Sequence, residues 1–150
     1  MIGKLILLLG VGCLVCMPLR AHNAEDDNKM IEGTWMLVAA EIGGQKLPDE
    51  RLKDAEAGSA AGKLILNDGR YTYQNDQGTY KISPTENPKA MDITGTEGPN
   101  HGKTFFAIYE LAGDSLKICY DLGGKTRPNE FTTRAGTHQF LAIYKRAKAA

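Results

Sequence analysis

The chain has 150 residues, with 18 Lys+Arg against 18 Asp+Glu, three cysteines and one tryptophan. Such a length suits one domain, and a balanced charge offers no basic face for nucleic acid or an anionic lipid surface. Neither nucleic acid nor a bilayer is therefore expected as a partner of the folded domain.

Residues 1–24 have the three zones of an export signal. Lys4 supplies the positive start, an apolar run covers Leu5 to Met17, and Pro18, Leu19 and Arg20 lead into the small-residue stretch Ala21 to Ala24. The apolar run is 13 residues long, short of the roughly 18 to 20 that cross a bilayer as a helix, so a retained anchor is the weaker reading. Cleavage after Ala24 or Ala21 fits the small residues. Lipid attachment at Cys13 or Cys16 is disfavoured, because Gly10, Val11 and Gly12 precede Cys13 and the nearest leucine lies one place too early. The expected destination is the periplasm, the envelope or the exterior, with no membrane span in the mature form. Cleavage at Ala24 leaves 126 residues with 16 Lys+Arg against 18 Asp+Glu, a net charge of −2. It also leaves Cys119 as a lone thiol, so no internal disulfide can form.

Residues 25–30 are polar and charged and are read as a disordered leader. A domain is expected over 31–146 and a short tail over 147–150. Eight segments within the domain have strand character: Thr34 to Ile42, Lys63 to Leu66, Arg70 to Tyr73, Thr79 to Ile82, Ala90 to Thr94, Thr104 to Leu111, Ser115 to Tyr120 and Gln139 to Lys145. Asn67-Asp68-Gly69 and Ala112-Gly113-Asp114 are tight glycine-bearing links of the kind that join antiparallel neighbours. Gln74 to Gly78 and Ser83 to Lys89 read as further loops in the same meander. Pro48 to Glu56 is the one helical candidate, and Gly58 to Gly62 reads as a flexible link. The fold class that follows is all-β: an eight-stranded antiparallel meander closed on itself, which removes unpaired edges.

Side chains alternate across a strand, so the large apolar set marks the interior. It comprises Trp35 and Leu37, Leu64 and Leu66, Tyr71 and Tyr73, Tyr80 and Ile82, Met91 and Ile93, Tyr109 and Leu111, and Leu116, Ile118 and Tyr120. The first, sixth and eighth strands are apolar on the other face as well, at Met36, Val38, Phe106, Ile108, Leu141 and Ile143, so the helix or a partner is expected to cover part of the outside.

Gly33-Thr34-Trp35 resembles the Gly-x-Trp signature of lipocalins. That resemblance implies an indole closing the barrel floor beneath a basic side chain near the last strand, here Arg146 or, second, Lys145. Longer runs carry a wider resemblance. Gly78-Thr79-Tyr80-Lys81-Ile82, Pro88 to Thr94, Ile108 to Tyr120 with its Gly113-Asp114 turn, and Arg127-Pro128-x-Glu130-Phe131 together resemble an uncharacterised lipocalin-like domain family expanded in planctomycete bacteria. The likeness runs from about Ile31 to Lys145. It implies an exported or envelope-associated barrel and carries over no catalytic residue.

Motifs for chemistry fail on spacing. Gly98-Pro99-Asn100-His101-Gly102-Lys103-Thr104 ends like a phosphate-binding loop, but its glycines enclose three residues instead of four and a strand follows instead of a helix. Gly58 to Gly62 is one residue too long for a nucleophile elbow. His101 and His138 lie in separate loops without metal-ligand spacing, so no metal or cofactor is expected. Cys119, between Ile118 and Tyr120, reads as a packed and inert thiol, and Asp92 and Glu110 read as outward-facing charges.

Two uses of the interior stay open: the tyrosines simply fill a narrow barrel, or they line a pocket. The favoured expectation is a non-enzymatic monomer that binds a small apolar or amphipathic ligand. Trp35, Tyr71, Tyr73, Tyr80, Tyr109, Tyr120 and Arg127 are its candidate cavity residues, and Gly33, Trp35 and Arg146 its floor. The alternative is an extracytoplasmic, inhibitor-like module that holds an envelope protein through its loops and outer apolar faces.

Overall fold

A computed structural model describes residues 24–56 and 62–148. The expected export signal over 1–24 lies outside the described residues except for Ala24, as does the 58–62 link except for Gly62. The chain runs through α1 (Ala24–Met30), β1 (Gly33–Ile42), β2 (Gln45–Lys46), α2 (Asp49–Glu56), β3 (Lys63–Asn67), β4 (Arg70–Tyr73), β5 (Asp76–Ser83), β6 (Ala90–Glu97), β7 (Thr104–Ala112), β8 (Ser115–Asp121) and β9 (Gln139–Arg146). Neighbours from β3 to β9 pair antiparallel in chain order, and β1 pairs with both β3 and β9. The result is a closed eight-stranded antiparallel barrel, the architecture its alternation predicts. Two-residue β2 is an addition, hairpinned onto the top of β1.

The first half of β1 pairs with β3, and from Trp35 onward β1 pairs with β9. A bulge between Leu37 and Ala39 shifts the register by one residue. Trp35 and Leu37 therefore face inward before it, and Ala40 faces inward after it.

The lower end is closed by α1. The 25–30 stretch, expected to be disordered, is helical, and Asp27 within it is 1% exposed. Its composition is too polar to bury on its own, but its one buried carboxylate meets two donors. Asp27 Oδ2 accepts from Lys89 Nζ at 2.7 Å and from the Tyr109 hydroxyl at 2.6 Å. Ile31, fully buried, follows the helix, and its carbonyl accepts from Trp35 Nε1 at 2.8 Å.

Arg146 ties this floor to the last strand. Its guanidinium lies 4.1 Å from the Trp35 ring centre while donating to the carbonyls of Met30 at 2.5 Å and Glu32 at 2.8 Å. Gly33 permits the approach. It holds φ +135°, and a Cβ there would stand 2.7 Å from Arg146 Nη1. The floor expected from Gly33, Trp35 and Arg146 is the floor observed, and Lys145 points outward.

Part of the outer apolar surface is covered by the chain itself, while Ile42 and Ile65 stay exposed. The 122–138 segment folds across β7, β8 and β9, burying Ile108, Cys119 and Leu141 beneath Phe131. Glu41 anchors it, accepting from Thr133 Oγ1 at 2.5 Å. On the other side, α2 packs on β1 through buried Leu52.

Replacing Arg146 by alanine removes a cation from the indole face and two donors from carbonyls, so a loss of about 2–4 kcal/mol is expected. Arg146→Lys should recover only part of it, because an ammonium cannot present the fork. Urea denaturation followed by the fluorescence of Trp35 measures both.

Candidate functional site

Above the floor the barrel holds a cavity of about 220 Å³. Strand alternation explains its walls: Leu64 and Leu66 from β3, Tyr71 and Tyr73 from β4, Tyr80 from β5, Met91 and Ile93 from β6, with Phe105, Ile118, Tyr120, Phe140 and Tyr144 from β7 to β9. Leu122, 42% exposed, lines the rim at the upper end. Tyr120 and Phe140 stack with ring centres 6.0 Å apart.

The expected pocket residues divide by height. Tyr71, Tyr73, Tyr80 and Tyr120 line the cavity. Trp35 and Tyr109 do not: both are buried in the floor, where the Tyr109 hydroxyl is committed to Asp27. Alternation assigned Tyr109 the right face but could not give its depth, five residues below the top of β7. Arg127 is also corrected. It lies on the outer wall of β6 and β7, donating to Asp92 Oδ1 at 2.6 Å and to the carbonyls of Ala107 and Met91, with its guanidinium 5.3 Å from the Phe106 ring centre. A loop arginine carries no periodicity that says which face of the wall it reaches.

Six wall residues escaped the sequence reading: Asp76, Asn100, Phe105, Leu122, Phe140 and Tyr144. Tyr144 sits in a strand apolar on both faces, where alternation is silent. Asp76 and Asn100 come from stretches read as loops. Asp76 in fact opens β5 and pairs with Tyr73, because the turn takes only Gln74 and Asn75.

Asp76 is the polar centre of the cavity and is 8% exposed. Its Oδ2 accepts from the Tyr71 hydroxyl at 3.0 Å and from Asn100 Nδ2 at 2.8 Å, and its Oδ1 accepts from the Asn100 backbone N–H at 3.2 Å. The loop that resembled a phosphate binder does this work, folding back so that Gly95 bridges His101 and Asn100 reaches over the rim. Tyr71 is aimed by its cross-strand partner Gly78: a Cβ there would lie 2.6 Å from Tyr71 Cε1 and 2.0 Å from the Thr94 carbonyl oxygen. Only a bare backbone leaves the ring room to lie flat and reach Asp76.

Burial raises the ionisation of the cavity phenols. Desolvation lifts Tyr71, Tyr73, Tyr80, Tyr120 and Tyr144, and for Tyr71 the bond to Asp76 and the charge of that carboxylate add to it. These hydroxyls stay protonated as hydrogen-bond donors and acceptors. On the outer side, burial pushes the Cys119 thiol up to about 11, which agrees with an inert packed sulfur. Asp92 and Glu110, both outward, pair with Arg127 and Lys117. Among the described residues no group of three or more His, Cys, Asp or Glu converges as a metal site.

Fold and site together define a closed antiparallel barrel with a tyrosine-lined internal cavity. Comparison with known protein families, curated proteins and solved structures finds no match for this chain.

Two outcomes follow from the packing and the titration. Gly78→Ala is expected to destabilise the barrel by at least about 2 kcal/mol in urea titration, since the new methyl overlaps a carbonyl that cannot move away. Cys119 and the phenols have raised values in the fold, so the stability they contribute is complete below their unfolded values and is lost as pH climbs. The urea midpoint should hold to near the ordinary thiol value of 9.0 and then fall through about 11. Over the same range a disulfide reagent should label Cys119 only in denaturant.

Proposed function

We propose that this protein is an exported, non-enzymatic carrier or sensor that holds one small amphipathic molecule in its barrel. The single observation that carries the reading is the 220 Å³ cavity, walled by rings whose hydroxyls stay neutral and open past Leu122. An engineered cavity of roughly 150 Å³ accepts benzene, while drug-sized ligands need roughly 300 Å³ or more, so the space suits a molecule of one or two rings. Protonated phenols can hydrogen-bond such a molecule both as donors and as acceptors.

Export is supported by the charged start, apolar run and small-residue end of residues 1–24. Cleavage after Ala21 would leave all of α1 on the mature chain, and cleavage after Ala24 would take its first residue. A likeness to lipocalins is supported by the Gly33-Thr34-Trp35 signature and by the floor that Trp35 and Arg146 form, and a place beside the lipocalin-like family expanded in planctomycetes by the four longer runs from Gly78 to Phe131. The alternative of a docking module loses part of its surface, because the 122–138 segment covers Ile108, Cys119 and Leu141 on the outer face of β7 to β9.

Native mass spectrometry of protein purified from the envelope fraction of its own cells is expected to show the polypeptide plus one small molecule. Ile93→Trp, which fills the space from the wall, should keep the β-sheet circular dichroism and weaken binding of single-ring probes by about tenfold or more. A bare polypeptide mass, together with no response of the cavity tyrosine resonances to any such probe, would falsify the reading.

A further inference from the structure

The described residues contain two buried carboxylates, and the fold treats them differently. Asp27 in the floor is met by a protein cation, Lys89 Nζ at 2.7 Å. Asp76 in the cavity is also buried, at 8% exposure, yet all three of its donors are neutral: the Tyr71 hydroxyl, the Asn100 side-chain amide and the Asn100 backbone N–H. Among the described residues it forms no ion pair.

A carboxylate taken from water without a countercharge is costly, and neutral dipoles offset that cost only in part. Its lone pairs are also unequally used. Oδ2 accepts two hydrogen bonds, whereas Oδ1 accepts only one, long at 3.2 Å, and so retains room for a second donor. The same cavity is lined by Tyr71, Tyr73, Tyr120 and Phe105, aromatic rings whose faces carry the negative part of a quadrupole. A negative centre within an aromatic wall has one natural complement, a compact organic cation. An anion would meet Asp76 directly, and a neutral ligand would leave it uncompensated.

We propose that the cavity selects a small primary amine in its ammonium form, carried on an apolar ring. The ammonium donates to Asp76 Oδ1 and lies against the tyrosine rings, while the ring fills the apolar part of the cavity beside Met91 and Ile93. The assignment rests on the ligand-binding reading above and narrows it to a charge class.

The test compares two probes of matched shape on the purified full chain at neutral pH, 2-phenylethylamine, which is protonated there, and 2-phenylethanol, which is neutral. Calorimetry is expected to give about tenfold or greater preference for the amine. Asp76→Asn should erase that preference while changing the alcohol's affinity little. The Asp76 carboxyl carbon resonance should also move on adding the amine and stay still with the alcohol, a readout that holds even if the variant does not fold. Equal or tighter binding of the alcohol overturns the ammonium assignment and leaves the ligand-binding reading standing. Binding of neither probe overturns both, and an amine preference that survives in Asp76→Asn overturns the role given to Asp76.

Discussion

The barrel depends on how it is shut at its lower end. A sheet of eight strands has to join its first strand to its last, and the junction lies where β1 leaves β3 for β9, at Trp35. Arg146 makes that junction rigid by covering the indole and holding the Met30 and Glu32 carbonyls at once. A guanidinium suits the task because it is flat on one face for the ring and forked at its edge for the carbonyls. With the floor held in this way, α1 is drawn into place, Asp27 finds Lys89 and Tyr109, and the lower interior becomes solid.

A solid floor allows a hollow upper half. Protein interiors pack about as densely as organic crystals, and a dry void of 220 Å³ would cost on the order of 5 kcal/mol, a large share of a small domain's stability. The wall lowers that cost by offering water or a ligand hydroxyls and a carboxylate to bond. Aromatic side chains do the rest: rings stacked as Tyr120 and Phe140 are hold a wall shape that flexible aliphatic chains would let collapse. Gly78 and Asn100 complete the arrangement, the first by leaving room for Tyr71 and the second by reaching in from a loop to bind Asp76.

Several parts of this arrangement were legible in the order of residues. Alternation placed Tyr71, Tyr73, Tyr80 and Tyr120 on one face, and the glycine-bearing turns implied the meander. The Gly-x-Trp resemblance pointed to Trp35 and Arg146. What stayed hidden was of three kinds. Tyr109 needed a height along the barrel, which a period of two does not encode. Asp76 sat in a stretch rich in Asn, Asp and Gly that reads as a loop until its side chain is seen to be bonded and buried. Residues 25–30 read as disordered because their charge forbids burial alone, and only Lys89 and Tyr109, more than 60 residues away, make burial of Asp27 affordable.

By itself, then, the sequence determined most of the strands, their order, the inward face of those that alternate cleanly and the need to close the sheet, because these follow from local periodicity and turn chemistry. Tertiary structure alone decided which inward residues became floor and which became wall, since depth depends on where the strands are cut off by α1 and by the Asn100 loop. It also decided the charge of the site. A carboxylate is a surface group or a buried centre according to the partners that chain folding brings to it, and Asp76 acquires its partners only when β4, β5 and the loop after β6 meet at the mouth of the barrel.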